Sequence, residues 1–382
     1  MDKSNRVLIY VDSLNRAKFF LPFKEFFEVV FITNKLSSYI YLKKRACKVF
    51  LIKKSKTILD IDYSNSLSIL NQYHTLKEAK NIGGSVINLL EKIGDFNYFF
   101  IWNGTTTIER VLSYYAKKNS IKTRYFEISN IENRVFVDKE GVLVESFLYK
   151  NPNLLDNFDI DEKEFNSWRE EYKKKKKIKR AIKSEIPYQN LIDFFGYLIG
   201  IEKEDRRNYL KLLLRRVKNK KVKLPLKNPD FSKDYIFTPL QVSNDSQVKL
   251  FSKYSNIDLI KEAIKIAKDK NCYLYIKPHP QEDNMDELNR IFSFESEKVK
   301  FVNGDLFDLI LNSKMVIVNN STVGLEAKIF DKEVLVYGEA YYKSFDKRRL
   351  ISFIQDYLSN MTYPENSLDK EKIKHLIKGI DL

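Results

Sequence analysis

The chain has 382 residues, enough for two domains with substantial cores. An apolar content of 43%, with 27 Phe and 23 Tyr, excludes a disordered chain, and two cysteines, Cys47 and Cys272, exclude a disulfide framework or a cysteine-built metal centre. The net charge of +16 is uneven: between Trp168 and Lys223, 19 Lys/Arg stand against 7 Asp/Glu, or +12 in that segment alone.

Met1–Arg6 leads directly into an apolar run, Val7–Val11, that is too short for a signal peptide. Further short apolar runs at Glu28–Thr33, Ala46–Ile52 and Tyr98–Trp102 read as strands, and Ile82–Ile93 and Thr107–Asn119 as helices between them. Alternation of this kind predicts a parallel, doubly wound α/β sheet. The first domain is expected to span residues 1–150. A charged helical connecting region follows at 151–229, punctuated by Pro187 and Pro225. A second α/β domain is expected at 230–345, with strands at Tyr235–Leu240, Cys272–Ile276, Val299–Val302, Met315–Val318 and Glu333–Tyr337. Residues 346–382 are expected to be helical and to pack back across the junction. Two doubly wound domains facing one another form a cleft, the usual seat of a nucleotide-linked substrate.

The longest apolar stretch, Leu191–Ile201, contains Asp193 and is too short to span a bilayer, so a cytoplasmic or membrane-peripheral protein is expected. The lysine run Lys173–Lys177 reads either as a solvated helix face or as an attraction for a polyanion. Trp168–Lys223 carries no zinc spacing and no aromatic RNA-binding sequence, which favours an anionic membrane over nucleic acid.

Two motifs carry the chemistry. Lys277-Pro278-His279-Pro280 leaves one apolar strand, and Asn319-Asn320-Ser321-Thr322-Val323-Gly324-Leu325-Glu326-Ala327 leaves another and opens a helix. Unpaired N–H groups and hydroxyls at such a helix start favour an anion, and open α/β sheets bind ligands at this carboxyl edge. Ser321 and Thr322 also suit ordinary capping, and Glu326 suits a favourable charge near a helix N-terminus. A phosphate-bearing ligand is the expectation. His74 and His375 lack such a setting.

Pro239-Leu240-Gln241-Val242 with Asp245-Ser246-Gln247, then the His-Pro motif, then Asn320–Ala327, resemble the bacterial capsular polysaccharide biosynthesis family, which includes β-Kdo transferases of capsule and O-antigen assembly. In the N-terminal half, Trp102-Asn103-Gly104, Tyr125-Phe126-Glu127, and Phe136–Val142 followed by Ser146 are similar to the family's acidic and Asp-x-x-Gly-Val-Asn segments. Four motifs in order are far more specific than any one alone. The departures, Ser129 for Gly, Glu132 for Pro and Leu143 for Asn, fall on the acceptor side.

The resemblance implies a GT-B architecture and a CMP-activated sugar acid, CMP-Kdo or a related CMP-sugar, as donor. It implies a glycolipid or oligosaccharide acceptor and no metal or other cofactor. It places Asp245 as nucleophile in a retaining transfer, though Asp245 reads equally as a turn residue bonding its own backbone. Glu127 is the expected acid/base, with Asp138 as the alternative; the Asp138-Lys139-Glu140-Gly141 run also suits a hairpin turn. His279 is expected to support the departing CMP phosphate, and Lys277 to offset the phosphate or the sugar carboxylate. Asn320, Ser321, Thr322, Glu326, Gln241 and Gln247 complete the donor side, Glu326 within reach of ribose hydroxyls. An inverting, sialyl-type transferase and a non-catalytic capsule assembly or export component are the alternatives.

Overall fold

A computed structural model of the chain describes residues 5–176, 187–204, 224–243, 246–282 and 284–378. Their backbone divides into two units, one formed within Met1–Lys150, Ile182–Asn219 and Tyr357–Leu382, the other within Asn151–Ala181 and Lys220–Asp356. The stretch 151–229, expected as one connecting region, is therefore shared between the units, and the C-terminal segment divides at Tyr357. Each unit is α/β, built on a mainly parallel sheet, in keeping with the expected fold class.

In the first unit, β1 (Arg6–Tyr10), β2 (Glu28–Thr33), β3 (Lys48–Leu51), β4 (Tyr98–Trp102) and β5 (Lys122–Ile128) are parallel, and β6 (Arg134–Asp138) runs antiparallel to β5. The sheet grows from β1 through β2 to β3 on one side and through β4 and β5 on the other. Right-handed crossovers place the helices on opposite faces either side of β1, so the carboxyl ends of β1 and β4 flank a topological switch point. Ala46, expected in a strand, takes φ 55° and so lies outside β3, which begins at Lys48.

The core of this unit is aromatic. Phe19, Phe20, Phe23, Phe100, Trp102 and Phe126 meet mostly edge to face, with Phe20 and Phe126 centroids 5.0 Å apart. Edge-to-face pairs add roughly 0.5–1.5 kcal/mol each beyond area burial. Met361, Ile373 and Leu376 of the C-terminal segment close this core, and the buried Arg124 Nε donates to the Leu376 carbonyl at 2.8 Å. The expected continuous C-terminal helix is broken into Lys347–Ser352, a wider turn at Phe353–Tyr357, and Lys370–Lys378. Ser359–Asn360 between them pairs antiparallel with Val135 and Arg134, extending the first sheet beyond β6.

In the second unit, β7 (Tyr235–Pro239), β8 (Tyr273–Lys277), β9 (Val299–Phe301), β10 (Met315–Val318) and β11 (Glu333–Val336) are all parallel, in the order β11-β10-β7-β8-β9. Here the order reverses between β7 and β10. Near-continuous apolar strands pack against helices such as Asn256–Asp269, whose N-terminus is closed by a Ser255/Asp258 capping box. Among the described residues no helix is long and apolar enough to cross a membrane.

Candidate functional site

The switch point of the second sheet gathers most of the expected donor residues. Gln241 follows β7 and is buried; its backbone N–H and carbonyl both bond the Asn256 side chain, at 3.4 and 2.9 Å. Its Oε1 accepts from the Asn320 N–H at 3.4 Å, linking the segments that leave β7 and β10. Asn320 is buried as well, and its Nδ2 donates to the Phe251 carbonyl. Asn319 is locked more tightly: its Nδ2 donates to the Tyr254 carbonyl at 2.7 Å and its Oδ1 accepts from Ser252 Oγ at 2.5 Å.

Ser321 and Thr322 lead into the helix Val323–Ile329, with Thr322 at the capping position but making no side-chain cap bond. Ser321 Oγ accepts from the Val323 N–H at 3.3 Å, and its carbonyl accepts from both the Gly324 N–H and the buried Tyr342 hydroxyl. Gly324 is obligatory on space: a Cβ there would lie 2.5 Å from Tyr342 Oη and 2.9 Å from Val318 Cγ2. Burial drives the Tyr342 pKa well above its ordinary value, so this hydroxyl stays a donor.

Lys277 ends β8 and His279 follows it, both partly buried. Lys277 Nζ donates to the Gly304 carbonyl at 2.7 Å. The Gln281 N–H donates to His279 Nδ1 at 3.2 Å, so the neutral ring carries its proton on Nε2 and the imidazole is a donor at that atom. Glu282 fixes the same turn, its carboxylate accepting from the N–H groups of Ser243 at 2.6 Å and Asn284 at 3.0 Å.

Glu326 departs from its expected ribose-facing role. It is 1% exposed, and its Oε1 accepts from Tyr172 Oη at 3.1 Å, where Tyr172 stacks between Trp168 and Phe330. It holds the helix Glu162–Lys176 onto this unit. Asp245 lies outside the described residues; Gln247 lies in the helix Ser246–Phe251, where its backbone but not its side chain is described.

In the first unit Asp138 is fully buried at the end of β6. Its Oδ1 accepts from the N–H groups of Glu140, Gly141 and Phe147, and its Oδ2 from Leu148 N–H and Tyr357 Oη at 2.7 Å. Five donors occupy this carboxylate, so Asp138 organises the turn rather than serving as the alternative acid/base. The same turn holds Leu143 at φ 54°, a conformation Asn enters cheaply, which gives a physical reason for Asn at this place in the family pattern.

Glu127 lies in β5, partly buried, beside Phe136 of β6. Its charge acts on Arg16, and with that a group not foreseen from sequence comes into view. Arg16 pairs with Asp12 at 2.7 Å and Glu109 at 3.5 Å, and lies 5.0 Å over the Trp102 ring. Burial alone would lower the Arg16 pKa; Asp12 and Glu109 hold it above its ordinary value. Glu109 is wholly buried, and burial raises its pKa despite Arg16 and the N–H groups of Thr105 and Thr106. Glu204, also buried, accepts from Ser68 Oγ at 2.9 Å and from the N–H groups of Thr107 and Ile108. Burial pushes its pKa up to about 7. Asp12 and Arg16 follow β1, and Thr107 follows β4, so this carboxyl-rich group flanks the first sheet's switch point. The usable signal in the sequence was position: charged residues directly after a buried strand.

Alongside the helix Thr107–Lys118 lies a groove of about 800 Å³, lined by Arg110, Tyr114, Lys117, Tyr125, Lys139, Glu145 and Lys150 among others. Arg110 is bidentate to Glu145 at 2.8 and 3.1 Å, and Lys150 meets Glu140 at 2.5 Å. Lys117 and Lys139 have no carboxylate in ion-pair range among the described residues, and Lys139 stands 3.9 Å over the Phe147 ring. Among the described residues no three His, Cys, Asp or Glu side chains are grouped to hold a metal ion.

Comparison with known proteins adds the following. The chain is 32% identical over 151 residues to the capsule polysaccharide export protein KpsS of Escherichia coli, covering 36% of this chain and 38% of that protein. It is 31% identical over 136 residues to protein FixF of Sinorhizobium fredii, covering 34% and 33%. The matches thus span 38% and 33% of these relatives. Among solved structures it resembles the β-Kdo 2,7 transferase of Thermosulfurimonas dismutans KpsC at 16% identity and a TM-score of 0.47, over 98% of this chain and 99% of that one. The β-Kdo 2,4 transferase of the same protein gives 14% and 0.44, over 74% and 87%. The family model described as capsule polysaccharide biosynthesis protein matches residues 134–346, more than half of the sequence, and the chain belongs to that family.

Proposed function

We propose that the chain is a glycosyltransferase that moves Kdo from CMP-Kdo, with retention of the β configuration, onto a glycolipid or growing saccharide. The observation carrying this reading is the meeting of family-type residues at one sheet edge, where the Gln241–Asn320 bond joins the segments after β7 and β10 and β8 delivers Lys277 and His279. Family membership over residues 134–346, which include Asp245, His279 and Ser321, supports it.

In the proposed reaction the Asp245 carboxylate forms a bond to the anomeric carbon as the bond from that carbon to the CMP phosphate oxygen breaks. The electron pair leaves with CMP. His279, protonated at Nε2, and the hydroxyls of Ser321 and Thr322 bind the phosphate oxygens as charge gathers on them, which is worth most in a water-poor site. An acceptor hydroxyl then attacks the same carbon, Glu127 takes its proton, and Asp245 is released. Lys277 offsets the donor's negative charge. No metal takes part, since the charge is met by these side chains.

Purified protein incubated with CMP-Kdo and candidate acceptors should release CMP and lengthen the acceptor. His279→Ala should lower kcat by about 10²–10³-fold, as for loss of one donor to a developing anion. Turnover of only another nucleotide sugar would overturn the donor assignment. A sugar adduct on Asp245 in Glu127→Gln, seen by intact-protein mass spectrometry, supports retention; repeated absence of the adduct while CMP is still released favours the inverting, sialyl-type course. Intact capsule production in cells carrying His279→Ala would instead favour a non-catalytic assembly or export role.

A further inference from the structure

The helix Pro187–Leu198 is oriented against the usual rule for a surface helix. Its buried positions are polar: Gln189 and Asp193 are each 5% exposed, and the Ser37 N–H donates to Asp193 Oδ1 at 2.8 Å. Gly196 lets it lie close, since a Cβ there would be 2.9 Å from Leu36 Cβ. Lys35 Nζ donates to Tyr197 Oη at 2.8 Å. Just beyond, the Lys54 N–H donates to the Gly200 carbonyl and the Glu202 N–H to the Ile52 carbonyl, so the helix is anchored at its C-terminal end to the edge beside β3.

Its outward positions are apolar. Leu191, Phe194, Phe195, Leu198 and Ile199 are 58%, 42%, 54%, 66% and 66% exposed. They stand at i, i+3, i+4, i+7 and i+8, one continuous helical stripe. Side chains this exposed forgo about half of the gain that full burial brings. Five in one stripe on a well-anchored helix mark a surface that meets something apolar.

Charge selects what it meets. In the sequence before the helix, residues 173–184 hold eight Lys/Arg and no Asp/Glu, and after it residues 206–223 hold nine and none; of these only 173–176 are among the described residues. A second copy would bring the same cationic sequence against itself. An anionic lipid surface offers acyl chains for the stripe and headgroups for the lysines and arginines, each worth about 1 kcal/mol near the membrane. At 12 residues, or roughly 18 Å, the helix lies in the interface and does not cross it.

We propose that this helix is an interfacial anchor that seats Leu191, Phe194, Phe195, Leu198 and Ile199 in the headgroup–acyl boundary of an anionic leaflet. The inference stands apart from the transferase reading and holds whatever sugar is moved.

The test is co-sedimentation of the whole protein with vesicles of phosphatidylcholine alone or with 30% phosphatidylglycerol. The wild type should bind the anionic vesicles and stay largely in solution with the neutral ones. Phe195→Ser/Leu198→Ser should weaken binding to the anionic vesicles on the order of 100-fold, from about 3 kcal/mol of lost burial. Its melting temperature should not change, because both side chains are exposed. Unchanged vesicle binding by the double variant would overturn the proposal, leaving adsorption through charge alone. So would a wild type that ignores anionic vesicles, including one that forms a dimer dissociated by the same substitutions.

Discussion

Tyr357 Oη donates to Asp138 Oδ2 at 2.7 Å, a bond between two fully buried groups 219 residues apart. It ties the start of the C-terminal segment to the end of β6, beside the point where Ser359–Asn360 extends the sheet. Burial and the Asp138 charge hold the Tyr357 pKa well above its ordinary value, so the tyrosine remains the donor. Asp138→Asn puts an amide N–H₂ against N–H donors and should cost about 2–4 kcal/mol, read as a lower denaturation midpoint. Tyr357→Phe should cost about 1 kcal/mol. Activity per folded molecule should survive Asp138→Asn and be lost in Glu127→Gln. Equal loss in both would return Asp138 to the chemistry.

Gly324 offers a test of the proposed phosphate contacts at Ser321 and Thr322 that removes no functional group. Its missing Cβ makes room for Tyr342 Oη, which holds the Ser321 carbonyl. Gly324→Ala should push these groups apart, at about 1–3 kcal/mol of overpacking. CMP affinity, followed by calorimetry, should fall about tenfold while the helix content seen by circular dichroism stays the same.

Under the proposed transfer, the groove beside the helix Thr107–Lys118 is the candidate acceptor surface to test. Arg110 and Lys150 are neutralised by Glu145 and Glu140, whereas Lys117 and Lys139 remain to face an anion, with the exposed Tyr114 to lie against a sugar ring. An acidic saccharide suits this lining better than a neutral one. Lys117→Ala/Lys139→Ala should raise the acceptor KM about tenfold, at up to about 1 kcal/mol per exposed charge, with little change in the donor KM. The effect should shrink at 0.5 M salt, as screening predicts. A change confined to kcat would place the lysines elsewhere in the reaction.

What could be read from the sequence follows from where the information lies. Strands such as Met315–Val318 and helices such as Thr107–Asn119 are short-range patterns, and the chain adopts both within one residue of the expected bounds. The Lys277–Pro280 and Asn319–Ala327 motifs were visible because each leaves a buried strand, which fixes its place on the sheet edge. The Arg16 group was hidden because its members come from far apart. Asp12 and Arg16 look like an i,i+4 surface pair, Glu109 like a capping-box residue, and Glu202-Lys203-Glu204 like a solvated run. Only the fold brings them to one switch point and removes Glu109 and Glu204 from water. Asp138 misled for the reverse reason: an Asp before Lys-Glu-Gly reads as a turn or a catalyst, and the partner that decides, Tyr357, lies at the other end of the chain.

Glu204 makes stability depend on pH in a direction opposite to that of a salt-bridged carboxylate. Burial raises its pKa to about 7, with Ser68 and the N–H groups of Ile108 and Thr107 opposing and the Glu109 charge adding to the rise. The folded form therefore holds a proton that the unfolded chain, at the ordinary carboxylate value, releases. Stability is greatest below the unfolded pKa, falls as pH rises through the window from about 4.5 to 7, and levels off above it. A shift of this size corresponds to roughly 3 kcal/mol, or several degrees in melting temperature. Glu109 and Glu202, also raised by burial, act in the same direction, so Glu204 is isolated by difference. Melting curves at pH 5 and 7.5 should show the wild type losing more stability than Glu204→Gln, which cannot ionise. Parallel losses in the two proteins would mean that Glu204 is already ionised in the fold at pH 5, held by the N-terminal amides of the helix Thr107–Lys118.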